Sequence, residues 1–264
     1  MTGRLAAAFS ALADRQRGGL VTYLTCGDPD AERSAALLVA VAAAGADVLE
    51  VGVPFSDPLA DGPVIQRATE RALAKGMTLR GALDVVRRVR REIDTPIVLF
   101  TYANPVVRMD AGEFSRRAAD AGVDGVLVLD YPVEEAGPLR EPLLEAGLDP
   151  VFLISPTTSD ERIRRSAELG RGFLYVISRL GVTGVRERLA AGARAVVERV
   201  RACADLPVAV GFGISTPDQV VEACRVADAA VVGSGLVNVV ALHGAAPDLC
   251  ERAGEYVRWL KSAL

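Results

Sequence analysis

Residues 20–30 read LVTYLTCGDPD. The first six are the β-branched, aromatic and aliphatic residues of a buried strand, and four of the next five, a glycine, a proline and two aspartates, are turn formers. A doubly wound dinucleotide-binding sheet would carry G-x-G-x-x-G directly after its first strand, and this stretch does not. Runs of the same strand type recur at 47–52 (DVLEVG), 96–101 (PIVLFT), 124–130 (DGVLVLD), 150–155 (PVFLIS), 173–178 (FLYVIS), 207–213 (PVAVGFG) and 228–234 (DAAVVGS), which makes eight with the first. Between them lie segments of helical composition, among them 31–44, 79–93, 111–121, 160–169, 192–202 and 217–226. Strands that alternate with helices form parallel sheets, and strands apolar along their whole length are covered on both faces. Eight such units predict an α/β fold of the closed (β/α)8, or TIM barrel, type. No Pro/Gly/Ser-rich linker divides the 264 residues, so one domain over 1–264 is expected. Ahead of the first strand, Leu5, Phe9 and Leu12 recur at helical spacing and predict an extra amphipathic N-terminal helix rather than a leader peptide. Two connections are too long for simple turns: 53–78 after strand 2 and 179–192 after strand 6. Both leave the strand ends at which barrels place their active sites, and both are lid candidates.

Composition narrows the classes of function. The net charge of −4 provides no basic footprint for nucleic acid or for an anionic membrane. The longest apolar run, 35–46, falls well short of the roughly 20 residues of a membrane-spanning helix. A cytoplasmic chain with neither nucleic-acid nor membrane partner is expected. Cys26, Cys203, Cys224 and Cys250 are far apart with no C-x-x-C pair, which predicts neither a zinc site nor a disulfide framework. His243 is the only histidine, and Lys75 and Lys261 are the only lysines, so histidine mechanisms are largely closed to this chain.

Glu50 interrupts the second apolar run. Alternation puts Val48, Glu50 and Gly52 on one face of the strand and Leu49, Val51 and Val53 on the other. The all-apolar set belongs against the helices, so Glu50 is expected to point into the barrel near its C-terminal mouth, where desolvation raises a carboxyl pKa toward the range useful for proton transfer. A buried glutamate satisfied by backbone or arginine partners is the competing reading, and position alone does not separate the two. Asp57 and Asp61, in the proline-rich loop that follows, read by themselves as turn acids. GFGIS (211–215) and VGSG (232–235) follow strands 7 and 8, where many barrels bind phosphate on backbone N–H groups and a short helix N-terminus. GVTG (181–184) either joins that site or gives its loop freedom to move.

With these pieces placed, the sequence closely resembles the tryptophan synthase α-chain family. The resemblance runs through TCGDPD, AGADVLEVGVPFSDPLADGPVIQ, FTYANPV, DYPVEE, YVISRLGVTG, GFGIS and VVGSG, nearly end to end. It implies a lyase of tryptophan biosynthesis that cleaves indole-3-glycerol phosphate to indole and glyceraldehyde 3-phosphate. Glu50 matches that family's general acid/base, and Asp61 the acid that binds the indole N–H. Gly184, Gly213, Gly233, Ser234 and Gly235 match its phosphate-binding positions, and Thr183 the residue that closes the loop over Asp61. Tyr23, Phe100, Leu127, Leu129, Leu153, Tyr175 and Phe212 fall where it surrounds the indole ring. Asn238 stands where lysine is common, Gly235 where alanine is frequent, and Tyr131 where a small aliphatic residue is usual.

The resemblance also implies a pyridoxal-phosphate-dependent β chain as partner, in an α2β2 heterotetramer, with no cofactor in this chain. The partner would pack against loop 53–62, Asn104, Pro105 and the YPVEE turn. The chemistry agrees with the chain's composition. Carbon–carbon cleavage needs an electron sink, commonly a lysine Schiff base or a metal, and here the lysines lie outside the strand ends and there is no histidine cluster. An indole ring protonated at C3 is its own sink. A lyase that works alone and releases free indole, and an idle subunit that only activates its β partner, are the alternatives.

Overall fold

The eight apolar runs form eight strands: β1 Gly19–Thr25, β2 Val48–Gly52, β3 Ile97–Thr101, β4 Gly125–Val128, β5 Asp149–Ile154, β6 Leu174–Ile177, β7 Val208–Gly211 and β8 Ala229–Val232. They belong to a computed structural model that describes residues 3–177, 186–211 and 213–264, with the side chains of 186–191 also outside the description. All pairings are parallel and run in sequence order, and β8 returns to β1, so the sheet closes into a barrel. Around it lie α1 Arg4–Asp14, α2 Ala31–Ala43, α3 Pro63–Ala74, α4 Leu79–Val89, α5 Ala103–Met109, α6 Ala111–Ala121, α7 Gly137–Glu145, α8 Asp160–Leu169, α9 Arg186–Arg201, α10 Pro217–Cys224, α11 Ser234–His243 and α12 Leu249–Lys261. None of the described helices is long and apolar enough to cross a membrane.

Strand alternation separates two cores. Leu20, Leu24, Leu49, Val51, Ile97 and Leu99 point outward and pack with the helices, while Val21, Val48, Val98, Leu127, Val151 and Ala209 fill the interior. The two faces are equally dry, which is why the strands read as unbroken apolar runs. The expected N-terminal helix is α1. Its buried Leu5, Phe9 and Leu12 join the interior core, with Phe9 against Phe173 at 5.3 Å between ring centroids, and so close the barrel at the N-terminal ends of its strands.

Aspartates staple the strands at that same end. Asp47, Asp124 and Asp228 each stand just before a strand and each accepts a 2.8 Å bond from an N–H at the start of a neighbouring one, at Leu20, Ile97 and Val208. Lys261 holds Asp47 and Arg90 holds Asp124, so these carboxylates are paired as well as hydrogen-bonded. One of the two lysines is thereby committed to the floor of the barrel; the other, Lys75, caps α3.

The long connection after β2 is not loop throughout. Residues 63–74 form α3, with Pro63 at its first position and only the small residues Ala68, Thr69 and Ala72 buried. Its larger apolar residues, Val64, Ile65 and Leu73, are only partly buried, so the helix leaves little periodic signal in the sequence. Of the expected loop 179–192, residues 179–185 lie outside the described residues, and from Arg186 onward the chain is already α9.

Candidate active site

Glu50 lies in the middle of β2, beside Tyr23 of β1 and Val98 of β3, with its side chain on the interior face. It is 0 % exposed, and neither carboxylate oxygen has a hydrogen-bond partner among the described residues. Burial pushes its pKa up to about 8. A tenfold change in an acid equilibrium corresponds to about 1.4 kcal/mol, so burial disfavours the anion by several kcal/mol and keeps a neutral carboxylic acid at pH 7. A structural carboxylate in a core would be satisfied by bonds, as Asp47 and Asp124 are. Glu50 has no such bond among the described residues, an arrangement suited to a proton donor.

Aromatic rings surround it. Tyr23 and Phe100 meet edge to face at 5.3 Å, and Phe100 lies 6.3 Å from Tyr175. Both phenols need glycine on the neighbouring strand. A Cβ at Gly52 would overlap the Tyr23 hydroxyl, and one at Gly211 would lie 2.7 Å from that of Tyr175. Burial raises the pKa of both tyrosines, and Asp61 and Glu50 each raise it further, which puts both carboxylates within electrostatic reach of the same two rings. Phe100, Leu129 and Leu153 are partly exposed above the interior core, whereas Leu127 is completely buried beneath them. These residues form an apolar-walled mouth with an acid in its floor.

Asp61 is half-buried at the rim, in the loop after β2. The Tyr102 hydroxyl donates to its Oδ2 at 2.9 Å, and the Tyr102 oxygen accepts from the Ala60 N–H at 3.1 Å. Gln66 Nε2 donates to the Asp61 carbonyl at 2.9 Å, and Phe55 stacks at a tilt on Tyr102 at 5.1 Å. Burial raises the Asp61 pKa, and the Tyr102 bond works against that rise. Asp57 is exposed, and among the described residues its carboxylate takes only the hydroxyl of its neighbour Ser56.

Across the mouth lie the two glycine clusters. Gly213 has φ +71°, and a Cβ there would meet nothing within 4 Å among the described residues, so its backbone is open on that side to them. Gly233 is the N-cap of α11 with no side-chain cap, and the first-turn N–H groups at Ser234 and Gly235 have no side-chain acceptor among the described residues. The uncapped start of a ten-residue helix beside an open glycine backbone is suited to an anion. Thr183, Gly184 and Phe212 lie outside the described residues.

Comparison with known proteins agrees with this arrangement. Residues 9–262 match the family model described as tryptophan synthase alpha chain. The chain belongs to the tryptophan synthase α-chain family. It is 51 % identical over 239 residues to the tryptophan synthase alpha chain of Phenylobacterium zucineum, covering 90 % of this chain and 86 % of that protein. It is 47 % identical over 263 residues to that of Burkholderia thailandensis, covering 99 % and 96 %. Among solved structures, tryptophan synthase subunit alpha from Legionella pneumophila superposes with a TM-score of 0.92 at 35 % identity, over 100 % of this chain and 98 % of that one.

Three residues at the candidate site are not singled out by the sequence. Tyr102 and Gln66 hold Asp61 and its loop, yet a tyrosine after a strand and a glutamine in a polar helix carry no chemical signature. Ile177, by contrast, was within reach: it follows Tyr175 by two residues in β6 and packs on the same interior core.

Proposed function

We propose that the chain is the α subunit of a tryptophan synthase and that it cleaves indole-3-glycerol phosphate to indole and glyceraldehyde 3-phosphate with Glu50 and Asp61 as its two working carboxylates. The observation that carries the reading is Glu50 itself: a completely buried acid with no hydrogen-bond partner among the described residues and its pKa pushed up to about 8, walled by aromatic rings and facing the barrel mouth. Protonated at neutral pH, it delivers a proton to C3 of the indole ring, and the ring becomes an iminium-like electron sink. Positive charge then grows at the ring nitrogen, where the Asp61 carboxylate accepts the N–H and balances it. The Glu50 carboxylate left behind takes the proton of the side-chain hydroxyl, the carbon–carbon bond breaks, and its electron pair restores the indole. The proton given to C3 equals the one taken from the hydroxyl, so Glu50 ends as it began.

In this reading the phosphate rests on the backbone of Gly213, Gly233, Ser234 and Gly235, together with Gly184, while Thr183 closes its loop over Asp61. The indole ring lies among Tyr23, Phe100, Leu129, Leu153 and Tyr175, with Phe212 completing the wall and Leu127 below. The chain itself holds no cofactor, since the substrate is the sink; pyridoxal phosphate belongs to a β chain. Leu59 at 93 % and Val107 at 67 % exposure are large apolar side chains left in water on the loop after β2 and on α5, and they support β-chain docking at this rim, in an α2β2 assembly. The test is indole release from indole-3-glycerol phosphate by the purified chain with and without a β chain. Cleavage that rises to saturation at one β per α is expected, whereas an absence of indole under both conditions would refute the reading.

A further inference from the structure

The two glycine clusters are joined by a side chain from outside either of them. Tyr256, on α12, donates its hydroxyl to the carbonyl of Ser215 at 2.9 Å. Ser215 is two residues after Gly213, in the turn from β7 to α10. The other side of that turn is held by Gln219, whose Oε1 accepts from the Ser215 N–H at 2.8 Å, the Ser215 hydroxyl at 3.3 Å and the Thr216 N–H at 3.2 Å. The tyrosine oxygen also occupies the space a side chain at Gly235 would need: a Cβ there would overlap the hydroxyl outright and lie 3.2 Å from Cζ and 3.4 Å from the Ser215 Cβ. Gly235 is the second residue of α11, whose uncapped N-terminus faces the mouth. One hydroxyl thus fastens the β7 turn and fits against the start of the α11 helix.

We propose that Tyr256 is a positioning residue for phosphate binding, and that Gly235 is required because the Tyr256 hydroxyl fills the place of its side chain. The proposal rests on the phosphate site described above. Backbone N–H groups bind an anion only while the peptide planes that carry them keep their orientation, and a carbonyl that swung toward the anion would repel it. With its oxygen held by a donor from behind, the Ser215 peptide stays turned away from the ligand. Burial raises the phenol's pKa, so it remains a donor through the neutral range. The ring is anchored in turn, against Trp259 at 5.7 Å.

The experiment compares the full chain with Tyr256→Phe, Gly235→Ala and the double variant, reading KM and kcat for indole-3-glycerol phosphate and the inhibition constants of inorganic phosphate and of indole. Loss of one neutral hydrogen bond is worth about 2–12-fold in binding. Tyr256→Phe is therefore expected to weaken inorganic phosphate and raise KM by a factor in that range, with kcat and indole inhibition unmoved. Gly235→Ala alone is expected to weaken phosphate at least as much. Added to Tyr256→Phe it costs less than when added to the wild type, because the overlapping oxygen has gone. Unchanged phosphate affinity in Tyr256→Phe, equal losses for phosphate and indole, or strictly additive losses would each overturn the tether while leaving the site intact. A wild-type chain that neither binds phosphate nor cleaves the substrate would overturn tether and site together.

Discussion

The Tyr102 hydroxyl is bonded at once to Asp61 Oδ2, at 2.9 Å, and to the Ala60 N–H, at 3.1 Å, so one side chain at the end of β3 fixes both the carboxylate and the loop that carries it. A hydrogen bond to a carboxylate favours its charged form and here opposes the upward push of burial on Asp61. Tyr102→Phe should then let the Asp61 pKa rise further. The acid limb of kcat/KM should move to higher pH, and kcat at pH 7 should fall about tenfold, as for loss of a bond to a charged group. The check is the pH–rate profile of both forms; superimposable profiles would mean that Tyr102 only packs.

In the proposed mechanism Glu50 must be protonated to act on C3, and burial raises its pKa to about 8. Cleavage should accordingly decline as pH rises through that value, with an alkaline limb in kcat/KM, which reports groups of the free enzyme. An alkaline limb at the ordinary carboxylate value, or none below pH 10, would show that another group supplies the proton.

The raised pKa of Glu50 also ties folding to pH. A carboxyl with a raised folded-state pKa contributes stability that is complete below its unfolded value and is lost as pH rises through the folded one. Between the ordinary 4.5 and about 8, the unfolded chain has released the Glu50 proton and the folded chain has not. Wild-type stability should therefore fall relative to Glu50→Gln by about 1.4 kcal/mol per pH unit across that window. Urea unfolding of both proteins at pH 5 and at pH 8.5 measures the difference, and parallel curves would contradict the burial of an unpaired Glu50.

The rim offers a separate test. Leu59 and Val107 expose 93 % and 67 % of their surface in the chain by itself. Burying one such side chain is worth about 1.5–3 kcal/mol, so Leu59→Asp or Val107→Asp should raise the β-chain concentration at half-maximal activation at least about tenfold. Titration of the chain with β would detect it; an unshifted midpoint would place the partner elsewhere.

The barrel was legible in the sequence because all eight strands are buried on both faces and read as apolar runs, and Glu50 was legible because it interrupts one. Alternation alone put Leu49 and Val51 outside and Val48 inside, as the structure has them. What stayed hidden is what depends on contacts across the fold. The helix α3 buries alanines and a threonine, so it lacks the wide apolar stripe that marks an amphipathic helix. Tyr102 looks like any residue closing a strand until Asp61, 41 positions earlier in the chain, is folded onto it. Tyr256 and Gly235 carry no signal in isolation, because the relation between them is a shared volume.

The central claim is that the buried carboxylic acid of Glu50, in the floor of the barrel mouth, performs the proton transfers of the retro-aldol cleavage. It is tested most directly by steady-state indole release from indole-3-glycerol phosphate by Glu50→Gln beside the wild type, each saturated with β chain and each shown to be folded. The amide fills the same space but neither gives nor accepts the proton, and general acid/base groups are worth about 10²–10⁴-fold. The account predicts a loss of at least about a hundredfold in kcat with little change in KM; turnover within a few-fold of wild type would contradict it.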